Sequence, residues 1–389
     1  MPDTLPANSS SPPKRLLSLD GGGIRGLIEA EVLSEMENQL KQLTGRDRPL
    51  CEHFDLIGGT STGAILAASL ALGLRAADLR DFYLKLGKQV FSPEFFPIRF
   101  WHKYPSRPLE KALQDVLGGD TTLGDSRLRT LLLIVSKNTT LGSTWFFTNN
   151  KKGKFFSQNR GLPLWQIVRA STAAPTYFPP QRINIPGRPA STHAYEFVDG
   201  GVSMYNNPSM QLFLEATEPD YNIGWPTGVD NLLLLSLGAG FSTGTIAEGK
   251  AGHYNALNWA QYAIEELMGD ANLQQNTLMH LLGERPVQGE RVAGAAGRAL
   301  EQAGAPTSFT LSKMSSSLGG NKLLTYQRIT IGLTPQRLEQ LGLADINPVK
   351  VSKLDCVDQM ANLQRIGRAI AIEQVNMQAL RKFFQKEIS

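Results

Sequence analysis

Two kinds of pattern alternate through the first 240 residues. Short apolar runs, KRLLSL, FDLIGG, LRTLLLIVS, STWFFTN, YEFV and NLLLLSLG, read as buried strands. Between them apolar residues recur at three- and four-residue steps. After Gly26 the positions Ile28, Val32, Met36, Leu40 and Leu43 mark an amphipathic helix, and two further helices are predicted over about 62–73 and 76–90. Strand then helix, repeated, predicts an α/β fold: a mostly parallel central sheet flanked by helices on both faces.

The pattern changes near Lys250, where long helical stretches replace strands. Residues 283–308, rich in Gly and Ala, read as a loop or a weak helix. The last forty residues regain periodicity: Leu363, Ile366, Ile370, Met377, Leu380 and Phe384 fall on one face and predict a docked helix. The expected organisation is a disordered lead over 1–13, an α/β core over 14–245 and a mainly helical extension over 246–389 packed on that core. No period of 20–50 residues recurs, which argues against a solenoid or propeller.

Composition narrows the classes. A chain of 389 residues with 41% hydrophobic residues can bury a large core. Its 39 basic and 35 acidic residues show no clustering of one sign, so no nucleic-acid partner is expected. The start, MPDTLPANSSSPPKR, lacks the apolar stretch of a secretory signal. The longest apolar run, Ala64 to Leu74, is short of the ~18–20 residues that cross a bilayer. Cys51 and Cys356 lie far apart without metal-ligand spacing. Together these predict a cytoplasmic protein with no disulfide framework and no metal-ligand motif at its cysteines; no cofactor is expected once a dinucleotide-binding reading of the Gly21 to Gly26 stretch is set aside.

The candidate chemistry begins with Ser61 in Gly59-Thr60-Ser61-Thr62-Gly63, a G-x-S-x-G sequence between a strand and a helix. Flanking glycines there permit a sharp turn that lifts the serine hydroxyl into a cleft. A nucleophilic serine needs a base. Of the five histidines, His53, His102, His193, His253 and His280, none sits in a motif that fixes its place, although spacing leaves His193 and His253 open. The better partner is Asp199, which ends an apolar strand and precedes Gly200 and Gly201; ligands of open α/β sheets bind at such ends. Asn207 and Pro208 then read as the cap and first residue of a helix.

The stretch LSLDGGGIRG, containing Gly21, Gly23 and Gly26, has two readings. One is a dinucleotide-binding turn holding NAD or a related cofactor. That reading demands an acidic residue about 20 positions on, at the end of the second strand, and that strand ends in Gly-Gly-Thr-Ser. The other is an oxyanion loop: Gly22 and Gly23 could present backbone N–H groups to a tetrahedral intermediate, favoured by the following helix N-terminus. Arg25 could steady this loop or meet a lipid phosphate.

Taken together the three motifs resemble the patatin-like phospholipases. Asp20, Gly21, Gly22, Gly23, Ile24, Arg25 and Gly26 are similar to that family's D-G-G-G-x-R-G loop, Gly59 to Gly63 to its nucleophile elbow, and Asp199 to Gly201 to its D-G-A/G motif. ASTAAPTYFPP over 170–180 and Asn206-Asn207-Pro208 agree as well, so the likeness covers roughly residues 14–240. The resemblance implies the patatin-like three-layer fold. It also implies a calcium-independent hydrolase of glycerolipid acyl esters, in which Ser61 attacks, Asp199 takes the proton without a histidine, and Gly22 and Gly23 hold the oxyanion. The chain looks closer to bacterial antiphage effectors than to secreted plant patatins. That implies a cyclic di- or trinucleotide activator, homo-oligomerisation on activation and attack on phospholipid at the inner membrane surface. A constitutive lipid hydrolase or esterase without a nucleotide switch is the alternative. One segment, residues 91–104, carries six aromatics with Arg99 and Lys103 and reads either as a lipid-facing lid or as core filling.

Overall fold

The six apolar runs all become strands, β1 (Lys14–Leu19), β2 (Leu56–Thr60), β3 (Leu131–Asn138), β4 (Ser143–Thr148), β6 (Ala194–Asp199) and β7 (Leu232–Leu237). The computed structural model describes residues 11–91, 102–186, 194–242, 246, 249–286 and 321–388. Three further strands, β5 (Gln181–Asn184), β8 (Gly283–Glu284) and β9 (Leu324–Ile329), complete a nine-stranded sheet. Its order is β5-β6-β3-β2-β1-β7-β9-β8, with β4 paired to β3 off that path. Strands β3, β2, β1, β7, β9 and β8 are parallel; β4, β5 and β6 pair antiparallel.

The runs are continuous because both faces of the sheet are buried. Alternate residues of one strand enter different clusters: Leu17, Ile57, Leu132, Ile134, Leu233 and Leu235 on one face, Leu16, Leu56, Leu133, Val135, Leu232 and Leu234 on the other. The first face is covered by α1 (Gly26–Thr44), α2 (Thr62–Ala71), α3 (Ala76–Val90), α4 (Ser106–Leu117) and, beyond the short α5 (Phe156–Asn159), by α6 (Leu164–Ser171). The second lies under α7 (Ser209–Thr217) and the C-terminal half of α8 (Ala256–Leu282). Helix, mostly parallel sheet and helix make the three layers of an α/β protein.

Residues after 245 do more than cover the sheet. Strand β9 joins it beside β7, a strand that the helical pattern beyond Lys250 does not anticipate, because LTYQRI carries Gln327 and Arg328 in its middle. The last forty residues bury all six periodic positions, yet as two pieces: α9 (Met360–Gln374) and a 3-10 stretch over 378–384. Val375 is extended, and the Asn376 side chain accepts the Ala379 N–H to restart the coil. Likewise α7 starts at Ser209 rather than Pro208, with Asn207 Oδ1 accepting the Ser209 N–H at 3.0 Å. The expectations for residues 1–10, 92–101 and 287–308 lie outside the described residues.

Register positions the site. Strand β3 pairs along one edge with β4; its other edge pairs with β2 as far as Thr60↔Val135, then with β6 from Asp199↔Ser136. Strand β2 runs parallel to β3 and β6 antiparallel, so their C-terminal ends meet head-on at neighbouring positions. The residue after Thr60 is Ser61, and β6 ends in Asp199.

Candidate active site

Ser61 stands at φ 54° and ψ −120°, a region that non-glycine residues rarely occupy. Packing holds it there. A methyl on Gly59 would meet the Gly63 carbonyl, and one on Gly63 would strike the Leu19 and Asp20 carbonyls at the end of β1. The elbow therefore nests directly against the loop after β1, and the Gly63 N–H donates to the Asp20 carbonyl at 3.0 Å. From below, Ser171 Oγ accepts the Ser61 N–H at 2.9 Å and donates to the Val135 carbonyl at 2.6 Å.

With the backbone so held, Ser61 Oγ donates to Asp199 Oδ2 at 2.5 Å. The other carboxylate oxygen, Oδ1, accepts the Gly201 N–H at 2.7 Å. Both side chains are buried, Ser61 to 8% and Asp199 to 4% exposure. Burial raises the Asp199 carboxyl to about 6, against the opposing pull of its bonds to Ser61 and Gly201 and of the Arg169 charge. None of His53, His102, His253 or His280 lines the pocket holding Ser61, and His193 lies outside the described residues. His53 instead bonds Glu387 through Nδ1, and His280 packs edge-on against Tyr326, where burial lowers it to about 3.

The loop Asp20–Gly26 crosses in front of Ser61. The N–H groups of Gly21, Ile24 and Arg25 bond to the Asn206, Leu354 and Gly22 carbonyls, whereas those of Gly22 and Gly23 have no partner among the described residues. Gly23, at φ 60°, abuts the Leu354 carbonyl and leaves no room for a side chain. Arg25 turns inward, its Nε donating to the Gly22 carbonyl at 3.3 Å. Asp20 is buried against Arg328 of β9, with Nη1 donating to Oδ1 at 2.8 Å and Nη2 to Oδ2. Asn206 joins this loop to the Asp199 loop: its carbonyl accepts the Gly21 N–H and its Nδ2 donates to the Gly21 carbonyl at 3.3 Å.

Ser61, Thr62, Gly22, Gly23, Ile24 and Asp199 share a pocket of about 860 Å³, including the space open to solvent at its mouth. Its walls are apolar: Ile65, Leu86, Val90 and Leu109 on one side, Pro175, Tyr177 and Phe178 from the 170–180 stretch on another, and Ile264 and Met268 of α8. Such a slot accepts a hydrocarbon chain with its polar end at the serine. Among the described residues no group of His, Cys, Asp and Glu is arranged to hold a metal.

A family model described as patatin-like phospholipase matches residues 17–213, from β1 through the Asp199 loop into α7. The chain belongs to the patatin-like phospholipase family. Patatin-15 from Solanum tuberosum is 29% identical over 273 residues, covering 66% of this chain and 69% of that protein. A cGAMP-activated phospholipase from Vibrio cholerae serotype O1 is 35% identical over 208 residues, covering 50% of this chain and 55% of its own. Among solved structures, VipD from Legionella pneumophila aligns at 15% identity with a TM-score of 0.35 over 98% of this chain and 73% of that one, too distant to add to the assignment. A patatin-like phospholipase is a lipid acyl hydrolase, a carboxylic ester hydrolase.

Sequence motifs locate Ser61, Asp199 and the glycines of the patatin-like core. They give Ser171 no role within the 170–180 stretch, and they miss Arg328 and Arg169, whose buried guanidinium donates to the Pro179 carbonyl and interacts electrostatically with Asp199. For Arg169 the available signal was an arginine inside a largely apolar helix, LWQIVRAS.

Proposed function

We propose that this chain hydrolyses acyl esters of membrane glycerophospholipids with a Ser61–Asp199 dyad. The observation that carries the reading is the 2.5 Å hydrogen bond from Ser61 Oγ to Asp199 Oδ2 beside the unpartnered Gly22 and Gly23 N–H groups. Asp199 accepts the Ser61 proton as Oγ adds to the ester carbonyl, and the oxyanion takes the two free N–H bonds, each worth about a hundred- to a thousand-fold in rate. Collapse expels the lysolipid alkoxide, which takes the proton back from Asp199 and leaves an acyl-Ser61. Asp199 then takes a proton from water as the water oxygen adds to the acyl carbonyl, and collapse breaks the ester bond to Ser61, whose Oγ takes the proton back from Asp199 as the fatty acid departs. A carboxyl raised to about 6 is still mostly ionised at neutral pH and is a stronger base than an ordinary aspartate. The pocket holds the acyl chain.

Fatty-acid release from phospholipid vesicles tests this directly. Ser61→Ala and Asp199→Asn should each lower it by at least about a thousand-fold; either variant retaining full activity refutes the dyad.

A nucleotide switch is favoured by the relative from Vibrio cholerae, a cGAMP-activated phospholipase 35% identical over 208 residues. We propose that a cyclic di- or trinucleotide raises activity, with homo-oligomerisation, in a cytoplasmic protein acting at the inner membrane surface. Equal activity with and without a panel of such nucleotides would leave a constitutive hydrolase.

A further inference from the structure

The Gly22 and Gly23 N–H groups, without a partner among the described residues, stand between two that have one. The Gly21 N–H donates to the Asn206 carbonyl at 3.1 Å and the Ile24 N–H to the Leu354 carbonyl at 2.8 Å, so the loop is anchored at one end from the Asp199 side and at the other from the C-terminal region. The second anchor is also a steric wall. The Leu354 carbonyl fills the place that a Gly23 side chain would take, and Leu354 itself lines the reaction pocket. It lies shortly before α9, outside the residues 17–213 that the family model matches. Downstream the chain is fixed on α1, where Gln364 Nε2 of α9 donates to Glu31 Oε1 at 2.9 Å and Gly367 abuts the Glu31 side chain. Beside Leu354, Asp355 reaches the segment that leads into α4: its Oδ2 accepts the Tyr104 O–H at 2.7 Å and the Lys103 ammonium, and its side chain is 9% exposed. Tyr104 is buried with its ring edge-on to Phe91 at 5.2 Å. The Lys103 and Tyr104 N–H groups donate to the Thr176 and Tyr177 carbonyls at 2.8 Å each, in the stretch that also holds Ser61 and Asp199.

We propose that Asp355 is a positioning residue for the reaction: by bonding Tyr104 it fixes the Leu354 carbonyl, and through that carbonyl the Gly22 and Gly23 N–H groups that receive the oxyanion. The proposal rests on the dyad and oxyanion reading above. Such donors act by being in place before charge develops, so their effect depends on how stiffly the loop is held. Glycines offer no side chain for that purpose, and the bond from the Arg25 N–H to the Gly22 carbonyl closes within the loop. Neighbouring segments must therefore hold it. Asn206 serves one end and Leu354 the other, with Asp355 the adjoining side chain that ties Leu354 to the pocket wall. A carboxylate so little exposed, bonded to a buried tyrosine, is a fixed strut; its Lys103 partner is 55% exposed and contributes little. Removing the Asp355 side chain leaves α9 docked on α1, so the expected fault is a loosened loop in a folded protein. Misplacing a reacting contact by about 1 Å costs up to about a hundredfold in rate.

The test separates the oxyanion from the pocket with two alkyl ketones of equal chain length, their binding read by calorimetry. Ser61 Oγ adds reversibly to a trifluoromethyl ketone and gives a tetrahedral oxyanion, whereas a methyl ketone stays trigonal and reports the pocket alone. Asp355→Ala should lower kcat for a soluble short-chain ester by about ten- to a hundredfold with KM within about twofold of wild type. It should weaken the trifluoromethyl ketone by a similar factor and leave the methyl ketone unchanged. Asp355→Asn keeps an acceptor for Tyr104 and should retain most of kcat. If Asp355→Ala does not fold, Tyr104→Phe removes the same bond and should show the same split at about three- to tenfold. Ser61→Ala should abolish the preference for the trifluoromethyl ketone, so a failure of the dyad reading appears in that variant and a failure here in the Asp355 variants. A wild-type kcat in the folded variant overturns the proposal. So does an equal loss of affinity for both ketones, which would mean a damaged pocket, or a loss in Asp355→Asn as large as in Asp355→Ala.

Discussion

Burying the Asp199 carboxylate costs the fold stability, and Asp199→Asn should expose that cost. Burial raises its carboxyl from 3.8 to about 6, so the folded protein binds a proton between those values that the unfolded chain has released. Stability from this group is greatest below about pH 4, falls as pH rises to about 6, and stays low above. Two units correspond to about 3 kcal/mol, with little solvent screening at 4% exposure. Asparagine mimics the protonated acid: its oxygen can still accept the Gly201 N–H and its amide can donate to Ser61 Oγ. The variant should equal wild type near pH 4 and exceed it by up to about 3 kcal/mol at pH 7–8. At the unfolding entropy of a chain of this length that is roughly 3–4 °C in Tm. Scanning calorimetry of both proteins across that range reads the effect. A variant no more stable at pH 8 than at pH 4 relative to wild type would refute the claim that desolvation of this carboxylate dominates its environment.

Further expectations follow from the same geometry. With Asp199 as base, kcat/KM for a soluble ester should fall about tenfold per unit below pH 6 and level off above it; a limb near 4 would mean that the base titrates as an exposed carboxylate. Arg328→Met strands Asp20 as a buried carboxylate and should cost about 3–5 kcal/mol by denaturant titration, with Asp20→Asn in the same chain restoring most of it. Gly63→Ala drives a methyl onto the Leu19 and Asp20 carbonyls; about 1–3 kcal/mol of stability and nearly all esterase activity should go together, whereas Gly45→Ala, at a surface helix end with open space around it, should leave activity intact.

What the chain discloses locally and what it conceals follow from how far apart the partners lie. The elbow is legible because its causes sit within five residues: a strand, two glycines that admit close backbone approach, and a helix start. The loop Asp20–Gly26 is legible for the same reason: its glycines and the helix start that follows them are adjacent in the chain. Arg328 is not, since its partner Asp20 is 308 residues away and an arginine in a strand argues against burial until that partner is known. Strand β9 is hidden by the same residue. In α9 the period is read correctly and the break is not, because the stripe of buried side chains continues across Val375 while the backbone hydrogen bonding does not.

The meeting of Ser61 with Asp199 is a property of sheet topology that neither motif contains. Each motif says only that a functional side chain follows the C-terminal end of a strand. Strand β3 brings them together by lending one edge to two strands of opposite direction, β2 up to Val135 and β6 from Ser136. A one-residue slip of β6 would carry Asp199 away from Ser61 by about 3.3 Å and turn its side chain to the other face. The register is held where the slip would be felt: a methyl on Gly200 would meet the Val135 carbonyl, Ser136 Oγ donates to the Val198 carbonyl at 3.0 Å, and the Asp199 N–H donates to Ala173 at 3.0 Å. Ala173 belongs to the 170–180 stretch whose Ser171 also receives the Ser61 N–H. That stretch therefore holds Ser61 and Asp199 against the same strand, with its small residues standing between them.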